Sequence, residues 1–320
     1  MYWKNILKIK IALALCLSIT ASLYAGKSSD LQNEFNVAKK LYEEGNYSQS
    51  IDRLENLLDE TPKSKLKRKA YRYLAESYQH LGKFEKALSI YQLAVEIYPK
   101  DVGFLTSLGK LYYDFNLLDR TKEMMENALQ ISPSAFEANE YMAYAYEHLG
   151  FLSEASSYYE KALKYSPEKT PNLWHNFSLC LYKQRKFQKS MEAIKISLDF
   201  EPENPEFLFT LARIEYALGE STSALSNIKK ASVLMPERKD ILLTFALWLI
   251  DEGNTSESLK MASLVLKKEP SEPLALWVSA LAYIRKGKIP LALDYLNSAV
   301  KTKSPFISET SNRMIKELKN

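Results

Sequence analysis

The residues that could carry reactive chemistry are few. Three histidines and two cysteines occur in 320 residues. His80 and His148 hold equivalent places in two related segments, and His175 and Cys180 stand five apart on one expected helix, facing different directions. A metal site needs three or four such ligands converging on one ion, and this dispersal does not supply them. The stretch GFLTSLGK, Gly103 to Lys110, leans toward a phosphate loop. Five residues rather than four separate its glycines, however, and Leu111 stands where Ser or Thr would bind magnesium. GxGxxG, HExxH, GxSxG and CxxC are absent, and the acids are scattered along solvated faces. The sequence therefore predicts no catalytic centre, no cofactor and no metal, and the expectation is a protein that is not an enzyme. Cys180 reads as a small buried residue.

What the chain does have is aromatic surface: 21 tyrosines, 13 phenylalanines and 4 tryptophans. Tyrosine joins a broad apolar ring to a polar tip, which suits a wet binding face rather than bond-making chemistry. The question becomes which elements position these rings.

HLGKFEKALSIYQLAVEIYP begins at His80, and HLGFLSEASSYYEKALKYSP begins at His148. Taking the glycine of HLG as a ruler, Gly45, Gly82, Asn116, Gly150, Arg185, Gly219, Gly253 and Gly287 stand at equivalent places, spaced by 37, 34, 34, 35, 34, 34 and 34 residues. Seventeen residues after each comes proline, from Pro62 to Pro270, with Ser304 in the eighth copy. Seven before the ruler residue lies a small side chain, as in Ala38, Ala75, Gly109 and Ala143; five after it lies another, as in Ser50, Ala87, Thr121 and Ala155. Each copy reads as two short amphipathic helices. A left-handed residue ends the first, proline stops the second, and small residues let the two approach closely. A unit of this kind cannot bury its apolar face alone and must stack on its neighbours.

This pattern resembles the tetratricopeptide repeat family. The resemblance runs over residues 31–306 in eight units, about 31–64, 68–101, 102–135, 136–169, 171–204, 205–238, 239–272 and 273–306. It implies an all-α fold, a right-handed superhelical solenoid of antiparallel helix pairs. Arg185 in the turn and the Thr121 and Met125 pair depart from the family pattern. Ile307, Met314, Ile315 and Leu318 share one helical face, so residues 307–320 are expected to form a capping helix.

The resemblance also implies that the first helix of each unit lines a concave groove that holds a protein or peptide partner. The residues expected there three, six and ten places before the ruler residue include Tyr42, Tyr113, Tyr144, Tyr182, Phe209 and Tyr216. In the last two units come Leu243, Leu247, Ile250, Trp277, Leu281 and Ile284. The early units mix charge, with Arg72, Glu76, Glu140 and Glu147, whereas ILLTFALWLI, Ile241 to Ile250, is apolar on nearly every side. Either the terminal helix covers that segment, or a partner or a second copy does.

MYWKNILKIKIALALCLSITASLYAGKSSD opens the chain. Lys4, Lys8 and Lys10 precede an apolar run ending in small residues, the layout of a secretory signal over residues 1–25 followed by a short linker, 26–30. Cleavage after Ala25 is the preferred reading. Retention would leave a membrane tether through residues 6–25, and lipid attachment at Cys16 is a third outcome. The formal net charge is +4, and removing those three lysines leaves +1, so the remainder has no general attraction for nucleic acid. KSKLKRK, Lys63 to Lys69, is expected as a solvated loop between units one and two. The resulting expectation is an exported binding scaffold or assembly factor of a periplasm or cell envelope, with self-association through the apolar final repeats as the alternative.

Overall fold

The computed structural model describes residues 29–62, 64–166 and 170–319, and every regular element among them is a helix. The expected leader, residues 1–25, lies outside the described residues. Helix α1 covers residues 29–43. It is followed by α2 (Tyr47–Glu60), α3 (Lys65–His80), α4 (Phe84–Ile97), α5 (Val102–Asp114), α6 (Leu118–Ile131) and α7 (Phe136–His148). Then come α8 (Leu152–Tyr165), α9 (Pro171–Lys183), α10 (Phe187–Phe200), α11 (Pro205–Ala217) and α12 (Ser221–Leu234). The chain continues with α13 (Lys239–Asp251), α14 (Thr255–Lys268), α15 (Pro273–Arg285), α16 (Ile289–Val300) and α17 (Pro305–Lys319). The chain divides into two compact units, Met1–Gly150 and Phe151–Asn320, so that α1–α7 belong to one and α8–α17 to the other.

Within each unit, helices pair across three-residue turns, such as α3 with α4 and α9 with α10. A connection that short holds its two helices antiparallel and side by side. The turn is made by the ruler residue. At Gly82, φ is +69°, the N–H of Lys83 donates to the carbonyl of Tyr78, and that of Gly82 donates to the carbonyl of Gln79, both at 2.9 Å. Two otherwise orphaned carbonyls at the helix end are thereby satisfied. Arg185 adopts the same conformation, with φ +61°, although it carries a Cβ; its N–H donates to the carbonyl of Tyr182 at 2.8 Å, and the N–H of Lys186 donates to that of Leu181 at 3.0 Å.

The small-residue columns are the places of closest approach. Ala38, Ala75, Ser178, Ala212, Ala246 and Ala280 on the first helices are fully buried, as are Ser50, Ala87, Ser190, Ala224, Ser258 and Ala292 on the second. Where both members are serine they are reciprocal: Ser178 Oγ donates to the carbonyl of Ser190 at 2.8 Å, and Ser190 Oγ to the carbonyl of Ser178 at 2.7 Å. Nine residues after the turn a larger side chain fills the space around each contact, including Leu54, Tyr91, Met125, Tyr159, Ile194, Ile228 and Leu296, all at most 2% exposed. Burying a side chain of this size is worth about 1.5–3 kcal/mol. The departure at Met125 has its explanation here. A Cβ on Gly109 would lie 2.6 Å from Met125 Cε, so the missing side chain on α5 makes room for the long one on α6.

In the second unit the core runs through Leu208, Ile228, Ile241, Phe245, Leu249, Val265 and Val278, shared by α11 to α15. Helix α17 then covers the far side of α15 and α16, setting Ile307 against Leu276 and Ala299, and Ile315 against Ala280 and Leu296. The basic run differs from expectation. Lys65, Lys67 and Arg68 lie in the first turn of α3 and Lys69 follows it, the helix being capped by Ser64, whose hydroxyl accepts from the N–H of Lys67. Positive charge at a helix N-terminus is unfavourable. Here Arg68 pairs with Asp101 at 3.1 Å, and Lys67 Nζ donates to the carbonyl of Leu58 at 3.0 Å.

Candidate partner-binding face

In the first unit the tyrosines three places before the turn meet rings from the following repeat. Tyr42 on α1 sits edge-on to Tyr73 of α3, with centroids 5.0 Å apart, and its hydroxyl lies 3.3 Å from His80 Nε2. Tyr47 stacks flat on His80 at 4.4 Å, and Phe35 meets Tyr73 at 5.7 Å. Burial, with Glu76 next, pushes the Tyr42 hydroxyl up to about 12. Burial also raises the carboxyl of Glu76, against the pull of the Tyr42 hydroxyl, Arg72 and His80.

The arrangement recurs two repeats on. Tyr113 of α5 meets Tyr141 of α7 edge-on at 5.6 Å, and Tyr144 lies 6.0 Å from Tyr113 and 5.5 Å from Tyr141. The Tyr144 hydroxyl donates to Glu140 Oε1 at 2.7 Å. Burial raises the Glu140 carboxyl and the Tyr141 hydroxyl, the latter well above the ordinary phenol range. All three rings are half-buried, neither core nor free surface.

The second unit presents a different pair of features. Arg213 of α11 lays its guanidinium over the rings of Tyr182 and Phe209, at 4.7 and 5.7 Å. Tyr216 stacks on Trp248 of α13 at 4.2 Å and donates to Asp251 Oδ2 at 2.6 Å, and burial with that bond pushes its hydroxyl up to about 12. His175 lies 2.8 Å from Thr210 Oγ1 and against the Phe207 ring, and burial lowers its pKa.

The structure thus gathers Tyr113 with Tyr144, and Tyr182 with Phe209. Phe209 and the apolar residues of the last two repeats fall into three groups. Phe209, Leu243 and Ile250 are core, at 8%, 3% and 5% exposure, because neighbouring first helices stack directly over them. Trp277 packs among Leu276, Tyr295 and the cap residues Ile307 and Ile315. Leu247, Leu281 and Ile284 remain half-buried at the surface. Sequence columns missed Tyr73 and Tyr141, nine places before their turns, and also Tyr47 and Trp248. Tyr73 and Tyr141 recur at the same register, a signal that was present but fell one residue outside the columns read.

Cys180 is fully buried with Sγ 3.5 Å from the carbonyl of Leu152. Among the described residues, no group of three or more His, Cys, Asp or Glu is placed to hold a metal ion. Among the same residues, no helix is long and apolar enough to cross a membrane.

Helix pairs on a 34-residue register, closed by left-handed turns and small-residue contacts, define a class of stacked interaction modules. Tetratricopeptide repeat models match residues 68–101, 139–169 and 243–306, so the chain carries repeats of that family. It is 22% identical over 193 residues to the BBSome complex member BBS4 of Bos taurus, covering 60% of this chain and 37% of that protein. The Drosophila melanogaster BBS4 homolog is 24% identical over 260 residues, covering 78% of this chain and 53% of its own length. The chain thus spans between about a third and a half of these relatives. Among solved structures, PilW, described as a widely conserved type IV pilus biogenesis factor, superposes with a TM-score of 0.59 at 22% identity over 65% of this chain and 96% of PilW. At that identity the likeness shows the fold.

Proposed function

We propose that this chain is a non-catalytic scaffold that holds segments of partner proteins against the first-helix faces of its repeats, and that it works as an exported assembly factor of a bacterial cell envelope. The observation that carries the binding reading is the series of half-buried tyrosines on those faces, Tyr42, Tyr113, Tyr144, Tyr182 and Tyr216. Rings held by stacking and by carboxylate bonds lose little further freedom on contact, so they serve as rigid anchors. Export rests on the leader-like pattern of residues 1–25. The assembly role is supported by the names of the similar proteins, a pilus biogenesis factor and a member of the BBSome complex.

The test is crosslinking in the native cell and capture of the full chain, compared with a variant carrying Tyr42→Ala, Tyr182→Ala and Tyr216→Ala whose helicity is first shown to be intact. A defined set of envelope proteins lost in the variant supports the proposal. Recovery of the chain alone replaces it with self-association, and partners that survive the changes move binding to the opposite face.

A further inference from the structure

Resting on the partner-binding reading, we infer that the Tyr113, Tyr141 and Tyr144 nest receives an arginine side chain of the partner segment, its guanidinium laid on the rings and directed at the carboxylate of Glu140. The second unit shows what the register can hold. There Tyr182 stands three places before its turn, and the residue six places before the next turn is Arg213, whose guanidinium stacks on Tyr182 at 4.7 Å. The chain supplies the cation itself. At Tyr113 the same register position on the following repeat is Tyr144, which adds a third ring and holds the carboxylate of Glu140 at 2.7 Å through its hydroxyl. Aromatic faces and an anchored anion are both in place, and the position that supplies a cation in the second unit supplies a ring here.

The local charge agrees. Asp114 and Glu140 act on the Tyr141 hydroxyl, Glu137 opposes ionisation of Glu140, and among the groups acting on Glu140 the favourable cation is Lys110, whose side chain is exposed. At the corresponding site two repeats earlier, Arg72 and His80 both stand near Glu76, so that nest is compensated from within. Arginine is favoured over lysine because its weakly hydrated plane stacks on tyrosine while its edge pairs with a carboxylate. Half-burial of Glu140 strengthens that pairing relative to a fully solvated carboxylate.

The probe is N-acetyl-arginine amide, titrated into the full chain labelled with 3-fluorotyrosine and followed by fluorine NMR, with resonances assigned by single Tyr→Phe variants. Saturable shifts at Tyr113, Tyr141 and Tyr144 are expected, weakened about tenfold or more by N-acetyl-citrulline amide, which keeps the shape and removes the charge. Glu140→Gln, a change that leaves the helix intact, is expected to weaken binding about five- to tenfold. Equal binding of citrulline, no change in Glu140→Gln, or shifts spread equally over Tyr42 and Tyr73 would each overturn the inference. Capture of native partners separates the two levels: partners lost in the Tyr42, Tyr182 and Tyr216 variant but kept in Glu140→Gln preserve the scaffold reading and reject the arginine site.

Discussion

Replacing Arg185 with glycine should stabilise the protein. The residue holds φ +61°, a conformation that costs an L residue with a Cβ about 1–2 kcal/mol. Glycine removes that cost but gives back about 0.4–1 kcal/mol through the extra freedom of the unfolded chain. The difference favours Arg185→Gly by about 0.5–1 kcal/mol. The turn's two closing bonds are made by backbone groups and survive the change. The reverse substitution, Gly219→Arg, meets no steric resistance, since a Cβ there has nothing within 4 Å, so its cost is conformational and of similar size with opposite sign. Repeat arrays do not unfold in one step, so the melting temperature should be read beside local hydrogen exchange across the α9–α10 turn. A rise of about 1–3 °C and slower exchange at that turn are expected for Arg185→Gly, with a matching fall for Gly219→Arg. If Arg185→Gly lowers stability while Gly219→Arg does so too, the backbone accounting is wrong and the arginine side chain contributes more than its strain costs.

The other expectations concern packing and pH. Met125→Ala should cost about 2–5 kcal/mol in urea unfolding, and adding Gly109→Ala should recover part of it, giving a coupling of at least about 0.5 kcal/mol; strict additivity would refute the fit between the two positions. Ser190→Ala alone should cost about 1–2 kcal/mol, whereas Ser178→Ala with Ser190→Ala should cost less than the two single changes summed, because the pair then resembles Ala212 with Ala224. His175 has its pKa lowered by burial, so the unfolded chain takes up the proton first. Stability should fall as pH drops through the unfolded value of about 6.5, and His175→Gln should flatten the melting-temperature profile between pH 5.5 and 7.5.

The turns were legible because a left-handed residue followed by proline seventeen places later is a local requirement, written once per repeat. Even Arg185 followed the rule against its own preference. The packing columns were legible for the same reason. The basic run was not, since Ser64 caps α3 early, and the partners that make Lys67 and Arg68 tolerable, Leu58 and Asp101, come from before the helix and from the residue that precedes α5. Leu243 and Ile250 were expected in the groove and are core instead, because a column cannot say how far the next helix overlaps it. Tyr141 was missed because it stands one place beside the columns read, and its partner, Tyr113, lies 28 residues earlier in the preceding repeat.

Gly109 and Met125 bear on how the chain finds its own pairing. Eight first helices and eight second helices of similar pattern offer many wrong matches while the chain is folding, and misassembly between like units is a characteristic failure of repeat proteins. Helix α6 carries a methionine whose Cε would lie 2.6 Å from a Cβ at the partner position, so in its present rotamer it suits a glycine there. Any of the other first helices would meet it with Ala38, Ala75, Ala143, Ser178, Ala212, Ala246 or Ala280. The departure from the repeat pattern therefore works as an identity mark: an exchange of α6 onto another first helix obliges Met125 to change rotamer, which favours its pairing with α5.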